Sequence, residues 1–232
     1  MGDDAVDYVE VEFEDTGSES GPADEVDSYA AEAIASGESV VRVPLLSGSL
    51  PAVKGAAVTL TRESSATSSS GFELKIFSAG AGRTAKITVK RSTQLELKPG
   101  ETKTRFIEVP VAWQIFADPD RPGGTITVVT PGIPPDGRYD VRVDTSRLST
   151  AGSTSQTIDN DADGVLTDTD AVETARGSTF TLGFEAKEAG VSATVKVGVE
   201  RATTTTVKYS LPRGSFALEW LSDATGVYIS RR

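Results

Sequence analysis

The chain contains no cysteine and no histidine. It therefore cannot build a disulfide, a thiolate nucleophile, a Cys/His zinc site or a Ser-His-Asp triad. Aromatic residues make up only 6% of its 232 residues, so Val, Ile and Leu must do most of the packing. No stretch approaches the roughly 18–20 apolar residues of a membrane helix. The start, Met1-Gly2-Asp3-Asp4, is acidic and lacks the apolar core of a secretory signal. The compartment stays unknown on these grounds: cytoplasm, or export by a non-standard route.

Basic residues are missing from one region altogether. Residues 1–41 carry 13 acids and no Lys or Arg. Residues 42–232 hold 21 acids against 23 bases, and six of those acids lie in 159–173, where there is no base. A mildly basic body thus carries an acidic tail and one acidic loop. The bland expectation for the tail is a solvated, disordered segment. The sharper one is that it folds over the basic body and masks a binding face.

What is present is mostly strand. A length of 232 residues allows one large β domain or two small ones. Val6, Tyr8, Val9, Val11 and Phe13 could add an edge strand to something, as a docking peptide. Ala23–Ser36 reads as one short helix, with Gly37 as its C-cap. From Val40 the period changes to two. Val41, Val43, Leu45; Val58, Leu60; Leu74, Ile76; and Ala85, Ile87, Val89 alternate with polar residues, as in half-buried antiparallel strands. Thr104–Phe116 is a longer strand whose Pro110 suggests an edge or a bulge. Strands near Thr125–Thr130 and Arg138–Asp144 follow. Residues 145–177 break the pattern. Strands then resume at Thr179–Lys187, Val191–Arg201, Thr203–Leu211, Ser215–Leu221 and Gly226–Ser230.

Two stretches look like copies. Each starts at a Phe (Phe72, Phe180), reaches Ala-Gly nine and ten residues later, and continues as an alternating strand ending in Arg (Arg91, Arg201). A duplicated hairpin accounts for this; so does the general likeness of amphipathic hairpins. The expected fold is an all-β antiparallel sandwich, or two related β modules. The expected boundaries are 1–38 for the tail and helix, 39–147 for a β domain, 148–177 for a linker and 178–232 for a second half.

The strongest chemical signal is Asp159-Asn160-Asp161-Ala162-Asp163-Gly164-Val165-Leu166-Thr167-Asp168-Thr169-Asp170. It resembles the EF-hand-type calcium loop, closest to the dockerin and thrombospondin-repeat variants. The resemblance implies acids at positions 1, 3 and 5 (Asp159, Asp161, Asp163), a turn at Gly164, inward packing at Leu166 and a closing carboxylate at Asp170. It implies Ca2+ bound by Asp159, Asp161, Asp163 and Asp170, with the carbonyl of Val165 and the hydroxyl or a bridging water of Thr167. Alternating aspartates with no base between Arg147 and Arg176 would repel without a counter-cation. The flanks lack two good helices, so a stapling site rather than a sensor is implied.

Other groupings are weaker. Asp118 and Asp120 sit in a Pro/Gly-rich turn and are not read as a glycosidase pair. Lys86, Lys90, Arg91 and Lys103 lack the interleaved aromatics of a nucleic-acid surface. Trp113 and Trp220 are expected in the core. The expected function is a non-enzymatic structural or interaction protein, stiffened by calcium and part of an assembly. The alternative is a membrane-acting pore former: Val191–Pro212 is similar to the Ser/Thr-rich stalk strands of aerolysin-like proteins. That reading would have to keep the carboxylates of 159–170 out of the bilayer.

Overall fold

The computed structural model describes residues 8–10, 33–65, 72–77, 84–89, 92–118, 120–132, 138–148, 153–186, 191–199, 201–222 and 225–232. They form sixteen strands: β1 (Tyr8–Glu10), β2 (Ala35–Ser49), β3 (Ala57–Ser64), β4 (Phe72–Phe77), β5 (Thr84–Val89), β6 (Thr93–Leu97), β7 (Thr102–Ala117), β8 (Thr125–Pro131), β9 (Arg138–Asp144), β10 (Ser153–Asn160), β11 (Leu166–Thr174), β12 (Thr179–Ala186), β13 (Val191–Val199), β14 (Thr203–Leu211), β15 (Gly214–Leu221) and β16 (Gly226–Arg231). No helix occurs among the described residues, and none there is long and apolar enough to cross a membrane.

An eight-stranded sheet runs β1-β9-β7-β2-β16-β15-β10, with β8 also on β7. Two four-stranded sheets lie against it, ordered β11-β14-β3-β6 and β12-β13-β4-β5. Two cores result. The first gathers Val41, Val43, Leu45, Val109, Trp113, Val195 and Val197. The second gathers Leu46, Leu60, Leu95, Val207, Tyr209, Phe216 and Leu218. Strand β2 serves both. Its pairing with β7 slips between Pro44 and Leu46. This bulge changes the inward positions from odd to even, so Leu45 enters the first core and Leu46 the second.

The architecture is a tandem repeat. In the first unit β2 opens, β3–β4 lead out, β5–β6 lead back, β7 closes against β2, and β9 pairs with β7. In the second, β10 opens, β11–β12 lead out, β13–β14 lead back, β15 closes against β10, and β16 pairs with β15. Register repeats as well. Phe72↔Val89, Leu74↔Ile87 and Ile76↔Ala85 recur as Phe180↔Val197, Leu182↔Val195 and Phe184↔Ala193, every residue 108 positions later. The stretches that look alike in sequence are thus the matching hairpins of the two units. The units sit side by side, joined by β2·β16, β3·β14 and β4·β13.

Three expectations are corrected. The helix at 23–36 falls mostly outside the described residues, but Ala35, Ser36 and Gly37 are strand, paired with Ile115, Gln114 and Trp113. Gly37 is therefore no C-cap. Residues 145–177 are not a break: they hold β10 and β11. Their Ser/Thr/Asp composition hid them, because as outer strands they bury only Ile158, Asn160, Val172 and Thr174. Pro110 lies on an interior strand. It falls between the β9 ladder, ending at Ile107, and the β8 ladder, starting at Val111, so its missing N–H is not needed on that side.

Candidate functional site

The acidic segment is the corner where the chain passes from the large sheet to the covering sheet. Strand β10 runs beside β15 and β11 beside β14. Asn160 turns the corner. It is buried, its Nδ2 donating to the Gly164 and Leu211 carbonyls at 3.0 Å each, while its Oδ1 accepts from the Ala162 N–H at 3.2 Å. Gly164 is not required by the backbone here: it lacks a positive φ, and a Cβ on it would meet nothing.

The six expected ligands separate. Asp159, Asp161 and Asp163 are exposed. Asp163 pairs with Arg213 at 2.7 Å, both largely solvent-facing. The Val165 side chain is exposed, and Leu166 packs on the second core as the loop pattern implies. From Leu166 on, the chain is extended, so successive side chains alternate. Thr167 faces outward, its Oγ1 3.1 Å from the Ser210 hydroxyl. Asp168 and Asp170 face the other way, toward the inter-sheet gap that buries Val172. Gln156 Nε2 donates to Asp170 Oδ2 at 2.9 Å, linking β10 of the large sheet to β11. Among the described residues, no three carboxylates stand close enough together to share a metal ion.

Asp168 and Asp170 instead act on Tyr209. Burial, then the charge of Asp170, its hydrogen bond, and the charge of Asp168 push the Tyr209 hydroxyl up to about 12. Sequence reading missed Asn160 and Gln156; the apolar Ile158 between them, at period two, was the available signal.

At the opposite end of the large sheet, β1 pairs antiparallel with β9, Tyr8 opposite Asp140 and Glu10 opposite Arg138. The arm's expected edge strand thus lands on the chain's own body. Asp118 and Asp120 form a turn: Asp118 Oδ1 accepts the Asp120 N–H at 3.0 Å. Lys103 is held by Glu101 at 2.7 Å. Trp113 is fully buried, and Trp220 packs partly buried on the second core. On the outer face, residues 145–148 carry the chain from the first unit toward the second, with Thr104 donating to the Ser146 carbonyl at 2.7 Å and the Arg147 guanidinium 4.2 Å over the Tyr228 ring.

No protein family, no curated protein and no solved structure matches this chain.

Proposed function

We propose that the protein is a non-enzymatic structural component that works by associating with protein along its sheet edges, as part of an assembly. One observation carries this reading: a short N-terminal strand, separated from the body by residues 11–34, completes the β9 edge of the large sheet. Addition of a strand to an exposed edge is a general mode of protein association. The far edge supports the same reading. Strands β10 and β11 are polar, expose most of their residues and contain neither Lys nor Pro; their charges, Asp159, Asp168, Asp170 and Glu173, are all acidic.

The pore-forming alternative has less in its favour. The strands similar to pore-former stalks are β13 and β14, interior strands of their sheets. Their apolar residues, among them Val195, Val197, Val207 and Leu211, already fill the two cores. Membrane insertion would have to open both.

The test is sedimentation velocity of the full chain over a wide concentration range, with liposome leakage measured in parallel. Reversible association without leakage supports the reading. A monomer at every concentration would overturn it, and one that also releases liposome contents would favour the pore-forming alternative.

A further inference from the structure

We propose that the β9 end of one molecule receives the β10–β11 end of a second copy of this chain, and that β1 controls the joint by covering β9. The inference rests on the assembly reading above and names its partner and geometry.

The chain already contains one joint of this kind. Between the two units, the opening strands of the first (β2, β3, β4) lie against the closing strands of the second (β16, β14, β13). The units are related by a sideways step, and such a relation does not use itself up. After the second unit, its own opening strands β10, β11 and β12 stand at one end with no strand outside them among the described residues. Before the first unit, the matching closing strands β9, β6 and β5 stand at the other end. Two molecules can therefore meet as the two units do, head to tail. Such a joint is heterologous and repeats along a line.

Charge disfavours pairing of like ends. Residues 159–173 carry six acids and no base, so two β10–β11 ends repel, whereas β9 at the other end carries Arg138 and Arg142 beside Asp140 and Asp144.

Strand β1 stands where the joint would form. Within the chain, the outer edge of β16 is taken by β2, through Gly226–Tyr228 against Ser47–Ser49. The outer edge of β9 is taken by β1, through Arg138–Asp140. The ladder is only three residues long. The β7 ladder uses the other part of β9, Val141–Asp144, so release of β1 leaves the β7–β9 pairing in place. The arm is thus a displaceable cap on a sticky edge.

The absence of cysteine makes the test clean. The double substitution Glu10→Cys, Arg138→Cys places one thiol pair on facing residues and ties β1 to β9 when oxidised. Sedimentation equilibrium should show a monomer for the oxidised protein and wild-type association after reduction. Deleting residues 1–12 should tighten association about tenfold if the arm covers nine edges in ten. A third form, lacking 1–12 and carrying Ser155→Lys and Thr169→Lys at two exposed positions of the other end, should not associate alone. Mixed with the oxidised variant it should give a one-to-one dimer and nothing larger. If the oxidised protein associates as strongly as wild type, the joint lies elsewhere, and the inference falls while the assembly reading stands. If every form stays monomeric, both fall.

Discussion

Asn160 Nδ2 lies 3.0 Å from the Leu211 carbonyl, joining the last residue of β10 to the last residue of β14. This contact ties the corner of the acidic loop to the interior strand of the covering sheet. The same amide group also serves Gly164 and Ala162. Asn160→Ala leaves two carbonyls and one N–H without that partner and should cost about 1–3 kcal/mol in chemical denaturation. Asn160→Asp should be destabilising too, because a carboxylate cannot donate to either carbonyl. An unchanged denaturation midpoint for both would show that the corner does not depend on this residue.

Gly48 holds the seam between the units. A Cβ there would stand 2.6 Å from Leu60 Cδ1, 2.7 Å from Leu97 Cδ1 and 3.1 Å from the Val227 carbonyl oxygen. Two of these are core side chains and the third is backbone of the neighbouring unit. Gly48→Ala should destabilise the fold by about 1–3 kcal/mol through overpacking. A melting temperature equal to wild type would contradict the close approach of β2 and β16.

Tyr209 makes stability sensitive to alkali. Its pKa is 10.0 when unperturbed and rises to about 12 in the fold, so the folded state holds the proton longer. The contribution is complete below pH 10 and is lost as the pH climbs through 12. Tyr209→Phe should flatten the fall in stability over that window. Asp170→Asn removes a charge that opposes ionisation, so tyrosinate should appear at lower pH in an ultraviolet difference titration. Superimposable titrations for Asp170→Asn and wild type would contradict the pairing.

The placement of the six expected calcium ligands makes a further prediction. Thr167 and Asp170 lie on opposite faces of β11, and Asp170 is held by Gln156. They do not form one cage with Asp159, Asp161 and Asp163. Whatever shift calcium gives in melting temperature, Asp170→Asn should therefore leave it as in wild type. Loss of the shift in that variant would restore the six-ligand arrangement. The exposed Arg213–Asp163 pair should contribute under about 1 kcal/mol, so Arg213→Ala should be near neutral.

Much of the fold was legible where one face of a strand is buried. Thr203–Leu211 reads as a strand because Thr203, Thr205, Val207, Tyr209 and Leu211 all point inward. Arg138–Asp144 was placed with the bounds it has. The outer strands β10 and β11 were missed because hydrogen bonding to β15 and β14, which sequence periodicity does not report, is what makes them strands. The repeat was visible at Phe72 and Phe180, but its extent was not, since the matching strands β2 and β10 share position and little composition. The acidic loop was legible as a turn with Leu166 inward. Its ligand set was not, because the spacing says nothing of whether Leu166–Asp170 curls back or runs on as a strand.

Assembly through β9 depends on β1 covering that edge, and hydrogen exchange reads that contact most directly. Amides in residues 138–140 should be protected in the full chain, and deletion of residues 1–12 should speed their exchange at a concentration too low for association, while the amides of β14 stay as they were. Equal exchange at 138–140 with and without the arm would contradict the capped edge and the assembly built on it.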